Sequence, residues 1–260
     1  MVQVSRQHIV DALAKDRFLL VGQPKWTLGK NTCNTYEVFI DLMIDEQDQR
    51  VPAQAFIPII EADEALTMQF GAWFLEKAFT SGATLMKKLG VNLNISINLL
   101  GFQANRPEFA DKVDMMLRKC NLDAGNVQFE LSEAQPINET GIANLVRLHD
   151  QMGIRLVAGN FGTGYSTIDL LRHVPFDMLE LSKDFTARIT ENERELRLTI
   201  AVLQMAQVLD LTVCAKGIET AEQMELLEHA GFYKGQGYLI GRPMPLDELE
   251  AFIRKYGFVD

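Results

Sequence analysis

The sequence predicts an α/β protein, a TIM-like (β/α)8 barrel. Three observations lead there. The chain has 260 residues, and single barrels of this kind run to roughly 250. Short β-branched or apolar runs alternate with longer amphipathic stretches, the rhythm of repeated βα units around a parallel sheet. The rival architecture, an open doubly wound sheet, would carry a G-x-G-x-x-G turn after its first strand, and none is present.

The strand runs follow in order: Phe18–Gly22, Tyr36–Met43, Leu93–Asn98, Val127–Leu131, Arg155–Ala158, Met178–Leu181, Thr212–Ala215 and Gly237–Ile240. Between them the helical period marks Glu64–Gly82, Pro107–Cys120, Glu139–Met152, Glu193–Asp210 and Ala221–Ala230, several of which end at a Gly suited to a helix C-terminus. No Pro/Gly/Ser linker or low-complexity run divides these units. The expectation is one barrel domain over residues 1–260.

Composition narrows the function classes. Hydrophobic residues make up 47% of the chain and charged residues 23%, enough apolar surface for a large core. A formal charge of -10 argues against general binding to a phosphate backbone, so no direct nucleic-acid partner is expected. Cys33, Cys120 and Cys214 are odd in number and scattered, which suggests neither a disulfide framework nor a thiolate zinc site. His8, His149, His173 and His229 form no close pair of the kind a metal site uses. Residues Met1 to Gln7 lack a signal-like apolar core, and no apolar run reaches a membrane span. A cytoplasmic protein without a membrane segment in this chain is expected.

A barrel places its chemistry at the C-terminal strand ends, where the βα loops converge. That rule selects Glu37 and Asp41, Asn98, Glu130 and Glu133, Gly159 and Asn160, Glu180 and Lys183, Lys216 and Glu219, and Gln236. Taken singly, such polar residues commonly do no more than solvate loops. Converging on one rim, acids and amides suit a metal or a polar ligand.

Several segments then resemble, in order and spacing, the motifs of the EAL-domain family of cyclic di-GMP phosphodiesterases. They are Phe56-Ile-Pro58, Phe129-Glu-Leu-Ser-Glu133, Phe161-Gly-Thr-Gly-Tyr-Ser166, Gly217-Ile-Glu-Thr220 and Gln236-Gly-Tyr238, and the resemblance runs from about Ile9 to Phe252. Gly162 and Gly164 give that loop backbone freedom that other residues lack. In active relatives the resemblance implies two Mg²⁺ or Mn²⁺ ions that activate water to open the cyclic dinucleotide. Such a pair needs several anionic oxygens. Glu37, Asn98, Glu130, Glu219 and Gln236 match the family's Glu, Asn, Glu, Glu and Gln positions, and Gln23 lies where one wall of a dinucleotide pocket is expected.

The departures from the family pattern gather at the chemistry. The family's Asp-Asp pair is Gly159-Asn160, its strand-end Lys is Glu180, and its general base is Lys216. A protonated Lys accepts no proton and repels a metal ion. Lys216 is expected to neutralise Glu37, Glu130 and Glu219 in place of metal. A phosphate-contacting Arg of the family is Asp41, which removes a bidentate charged contact.

The resemblance therefore implies a degenerate, non-catalytic regulator in bacterial cyclic di-GMP-related signalling, with no catalytic residues and no cofactor, since Mg²⁺ or Mn²⁺ would be needed only by an active enzyme. Its expected partner is a signalling or transcription-regulatory protein, with motility or biofilm control as the output. One alternative is a receptor that binds cyclic di-GMP without cutting it. Another is a weak metal-dependent phosphodiesterase. A homodimer is also expected by analogy, through the loop of Phe161 to Ser166.

Overall fold

The computed structural model describes residues 4–44, 49–132, 136–162 and 167–257. In chain order the elements are α1 (Arg6–Lys15), β1 (Phe18–Thr27), β2 (Thr32–Ile44), β3 (Gln49–Pro52), α2 (Ile57–Glu61), α3 (Glu64–Leu89), β4 (Asn94–Leu99), α4 (Gly101–Ala104), α5 (Phe109–Cys120), β5 (Val127–Ser132) and α6 (Glu139–Asp150). They continue with β6 (Arg155–Phe161), α7 (Thr167–Leu170), β7 (Met178–Leu181), α8 (Lys183–Thr186), α9 (Glu193–Val208), β8 (Thr212–Lys216), α10 (Ala221–Ala230), β9 (Lys234–Gln236), β10 (Met244–Pro245) and α11 (Leu246–Tyr256).

Hydrogen bonding runs β1-β9-β8-β7-β6-β5-β4-β2, and a β1–β2 pairing closes the ring, so the expected barrel forms. β3 and β10 extend the sheet at its flanks. The all-parallel expectation needs correction. β1 runs antiparallel to both β2 and β9, while β2 is parallel to β4. The cause is local: Gly29 (φ 75°) and Asn31 (φ 54°) both take left-handed backbone, and this reverses the chain within a short hairpin instead of a helical crossover.

Element boundaries also shift. The sequence stops the third-strand helix at Gly82, but α3 continues to Leu89 and is capped by Gly90 (φ 73°). Gly82 serves close packing instead: a Cβ there would lie 1.9 Å from Ile95 Cδ1 of β4. The expected eighth strand, Gly237–Ile240, is a turn, and the strand is Lys234–Gln236 just before it. The Ile240 and Gly241 amides both donate to the Gly237 carbonyl, which folds the apolar Tyr238-Leu239-Ile240 run out of the sheet.

Period-two alternation divides the strands between two environments. Outward residues such as Val38, Ile40, Ile95, Ile97, Phe129, Leu131, Leu156, Leu179 and Val213 are buried against the helices. α3 contributes Phe70, Phe74 and Phe79 to this layer, with Phe79 and Phe129 ring centroids 6.4 Å apart. The alternate positions face the barrel interior, where Val157, Met178 and Cys214 form a small apolar cluster and Lys25, Glu37, Ser96, Glu130, Glu180 and Gln236 are buried polar residues.

Candidate functional site

Seven strand side chains meet inside the upper barrel. β2 supplies Glu37, β4 supplies Ser96 and Asn98, β5 Glu130, β7 Glu180, β8 Lys216 and β9 Gln236. Lys216 Nζ stands among three carboxylates, 3.2 Å from Glu37 Oε2, 3.0 Å from Glu130 Oε2 and 2.7 Å from Glu180 Oε2. Asn98 Nδ2 donates to Glu37 Oε1 at 2.6 Å, and Gln236 Nε2 donates to Glu37 Oε2 at 3.0 Å. Both amides thereby fix the Glu37 carboxylate.

A second cation enters from β1. Lys25 is fully buried, and its Nζ donates to Glu130 Oε1 at 2.5 Å, to Ser96 Oγ at 3.1 Å and to Glu180 Oε1. Ser96 Oγ also donates to Glu130 Oε1 at 2.5 Å. Sequence reading missed Lys25 because it ended the first strand at Gly22, ahead of Pro24, a residue that usually interrupts a sheet. β1 tolerates Pro24 because its neighbours on that flank are β10 at Val21 and Gly22 and β9 at Trp26 and Thr27, leaving Pro24 in the gap. The available signal was the alternation Gln23, Lys25, Thr27, all buried polar residues on one face.

The electrostatics follow from burial opposed by charge. Burial pushes Lys216 and Lys25 down, but the surrounding carboxylates outweigh it and hold both above the ordinary lysine value. Burial pushes Glu130 up, and Lys216 with Lys25 reverses this to well below the ordinary carboxylate range. Glu180, raised by burial and then by its neighbour Glu130, is pushed up to about 7. Two ammonium groups thus face three carboxyl groups, and a proton on Glu180 brings the cluster close to neutrality. Glu180 therefore takes the place that sequence reading gave to Glu219. Glu219 is exposed and outside the cluster.

The remaining expected residues divide. Gln23 is buried, donates from Nε2 to the Gly241 carbonyl at 2.9 Å, and borders a cleft above the cluster. That cleft, of about 370 Å³, also meets Asn160, Lys183, Lys216, Glu219 and Tyr238. Asn160 adopts left-handed backbone (φ 55°), followed by Gly162 (φ 93°). Gly159 faces the cluster: a Cβ there would lie 3.7 Å from Glu130 Cβ and 3.3 Å from the Leu131 carbonyl oxygen. Asp41 is half-buried, raised by that burial, and pairs in register with Pro52 away from the cluster. Glu133 and residues 163–166, including Gly164 and most of the expected dimer loop, lie outside the described residues.

A pair of divalent ions does not fit this donor set. The position that Glu37, Glu130 and Glu180 jointly address is filled by the Lys216 ammonium, and the end of β6 offers Gly159 and Asn160 in place of carboxylates. Among the described residues, no group of three or more His, Cys, Asp or Glu side chains is arranged to hold a metal ion. No helix among them is long and apolar enough to cross a membrane.

Barrel and strand-end rim together define a class, and comparison with known proteins names it. The structure superposes on the EAL enzyme Bd1971 in its cAMP- and cyclic-di-GMP-bound form with a TM-score of 0.88 and 25% identity, covering 95% of this chain and 67% of that one. It superposes on the PaMucR phosphodiesterase in its cyclic di-GMP complex with a TM-score of 0.84 and 26% identity, covering 94% and 99%. The EAL domain family matches residues 6–243, and the chain belongs to that family. It is 31% identical over 97% of its length to the cyclic di-GMP phosphodiesterase NbdA of Pseudomonas aeruginosa, of which it covers 32%. It is 26% identical over 94% of its length to the phosphodiesterase PdeR of Escherichia coli, of which it covers 37%. The chain thus spans about a third of these curated relatives.

Proposed function

We propose that this EAL domain is a non-catalytic regulator in bacterial cyclic di-GMP-related signalling and acts by binding another protein. One observation carries the reading: Lys216 Nζ sits 2.7–3.2 Å from three carboxylate oxygens, so the family's general-base position is a cation that fills the centre of the site. A lysine held above its ordinary value takes no proton from water, and its charge opposes a metal ion in the same place. The charge that bound metals would supply is supplied by Lys216 and Lys25. Hydrolysis of cyclic di-GMP by the purified chain in Mg²⁺ or Mn²⁺, with a Glu37→Ala control for contaminants, tests this. Linear product in excess over protein, lost in the control, would overturn it and support the weak phosphodiesterase instead.

A second reading, a receptor that binds cyclic di-GMP without cutting it, is supported by the cleft of about 370 Å³ above the cluster, where Gln23, Asn160, Lys183 and Tyr238 offer amide, cationic and aromatic contacts. Calorimetry with cyclic di-GMP separates the two: a stoichiometric isotherm favours the receptor. A flat trace favours the protein-binding regulator.

A further inference from the structure

The turn at 237–240 exposes apolar side chains that an inner strand would have buried: Tyr238 is 53% exposed and Leu239 41%. Leu239 and Ile240 border a second cleft, about 200 Å³, completed by Trp26, Met224, Phe252 and Tyr256. Its base is aromatic, with Trp26 and Tyr256 ring centroids 5.6 Å apart and Phe252 and Tyr256 4.8 Å apart. α10 and α11 carry its sides. Helical spacing puts Glu228 on the Met224 face of α10, and Glu248 on the Phe252 and Tyr256 face of α11.

The charges around this cleft differ from those on α3 and α5. On α3 and α5, Glu64, Glu76 and Asp111 are paired with Arg106, Lys119 and Arg147 of neighbouring elements. On α10 and α11, Glu222, Glu225, Glu228, Asp247 and Glu248 make no ion pair among the described residues, whereas Glu250 is paired with Arg254. Of the cations nearby, Lys255 lies over the Tyr256 ring of the cleft, and Arg242 lies over Tyr238 of the adjoining turn. An apolar floor between helices that carry unpaired carboxylates is complementary to a helix with bulky apolar residues on one face and Lys or Arg beside them.

We propose that this cleft between α10, α11 and the 237–240 turn is the docking site for a basic amphipathic helix of a partner protein. The proposal rests on the reading of the chain as a protein-binding module and names the surface and the chemistry of its partner. Aliphatic side chains of the incoming helix fill the space over Trp26 and Phe252, and its cations face Glu228 and Glu248.

The chain has two tryptophans, Trp26 and Trp73, so a Trp73→Phe background leaves Trp26 as the reporter within the cleft. The probe is a synthetic Leu/Lys peptide of about four helical turns, compared with a scrambled peptide of the same composition and with a Leu/Glu version. Expected is a saturable change in Trp26 emission with the amphipathic Leu/Lys peptide, with affinity at least ~10-fold weaker for the scrambled peptide and for the Leu239→Glu variant, as for loss of a central anchor. The double variant Glu228→Lys, Glu248→Lys should invert the preference toward the Leu/Glu peptide. Because Leu239 and Glu248 are exposed and Glu228 is half-buried at the surface, circular dichroism should show an unchanged fold. Equal binding of the scrambled peptide, or affinity unmoved by Leu239→Glu and by the charge variant, overturns the proposal. So does loss of binding on Leu198→Glu and Val208→Glu of α9 instead. Hydrolysis of cyclic di-GMP by the same preparation would overturn the regulatory reading and leave the peptide result standing.

Discussion

The two faces of the barrel wall are held together by different forces. Outside, between strands and helices, Val38, Ile97, Phe129, Leu179 and Val213 belong to an apolar layer, stabilised in proportion to the apolar area it removes from water. Inside, Lys25, Glu37, Glu130, Glu180 and Lys216 stabilise one another only as a set. A methylene lost from the outer layer leaves a small void. A charge lost from the inner one leaves its buried partners uncompensated. The outer layer should therefore tolerate substitution gradually, and the inner one abruptly.

The largest expected effect is at Lys25. Lys25→Met removes the cation between Glu130 and Glu180 while keeping similar bulk, and should lower unfolding stability by about 3–5 kcal/mol in urea titration. The Lys25→Met, Glu130→Gln double variant should cost less than the sum of the singles, because the orphaned charge goes too. Additive losses would mean that the interior behaves like the outer layer.

Next comes a pH effect particular to the interior. Glu180 is pushed up to about 7 in the folded chain, against 4.5 as its ordinary value. Between those two values the folded state keeps a proton that the unfolded state releases. The Glu180 contribution is therefore fully present below pH 4.5 and is lost as pH rises toward 7, with a slope of at most about 1.4 kcal/mol per pH unit. Glu130, held low, acts only below 4.5, and the two raised lysines act only at high pH. Urea unfolding across pH 5–7 should show the wild type losing stability relative to Glu180→Gln. Parallel curves would show that Glu180 does not hold the proton.

The outer layer gives the contrasting, smaller number. Phe129 packs between Phe79 and Phe109, with centroids 6.4 Å from each. Phe129→Leu keeps most of the volume and should cost below about 1.5 kcal/mol, with the same value at every pH between 5 and 7.

This division also explains what the sequence discloses. Seven of the eight expected strands overlap observed ones, because alternation against an apolar outer layer is a local pattern. Glu37, Asn98, Glu130, Glu180, Lys216 and Gln236 were all legible as strand-end residues, and they do converge. Lys25 was not, because Pro24 masks its strand and because its role depends on carboxylates 105 and 155 residues away. The eighth strand was misplaced because Tyr238-Leu239-Ile240 reads as β by composition, and only the Gly237 carbonyl hydrogen bonds reveal a turn. Glu219 was grouped with Lys216 by motif, yet Gly217 (φ 81°) turns the chain before Glu219 and leaves it at the surface.

The smallest expected effect discriminates most finely between a site without metal and one merely short of ligands. Lys216 has a side chain 15% exposed, so removing it disturbs the fold less than removing Lys25. Lys216→Gln leaves Glu37, Asn98, Glu130 and Glu180 facing a space without its cation, a donor set of hard oxygens that suits a single Mn²⁺ or Mg²⁺. If Lys216 is what excludes the ion, Mn²⁺ should leave the wild type's unfolding midpoint unchanged. It should raise the Lys216→Gln midpoint by an amount that grows with the logarithm of ion concentration, about 1.4 kcal/mol at tenfold excess over Kd. Adding Gly159→Asp should strengthen that response, since its Cβ would lie 3.7 Å from Glu130 Cβ, although the nearby Leu131 carbonyl oxygen, 3.3 Å away, must yield. A wild type stabilised by Mn²⁺ as much as the variant would show that the ammonium does not exclude metal. A variant that folds but ignores Mn²⁺ would place the cause in the missing β6 carboxylates instead.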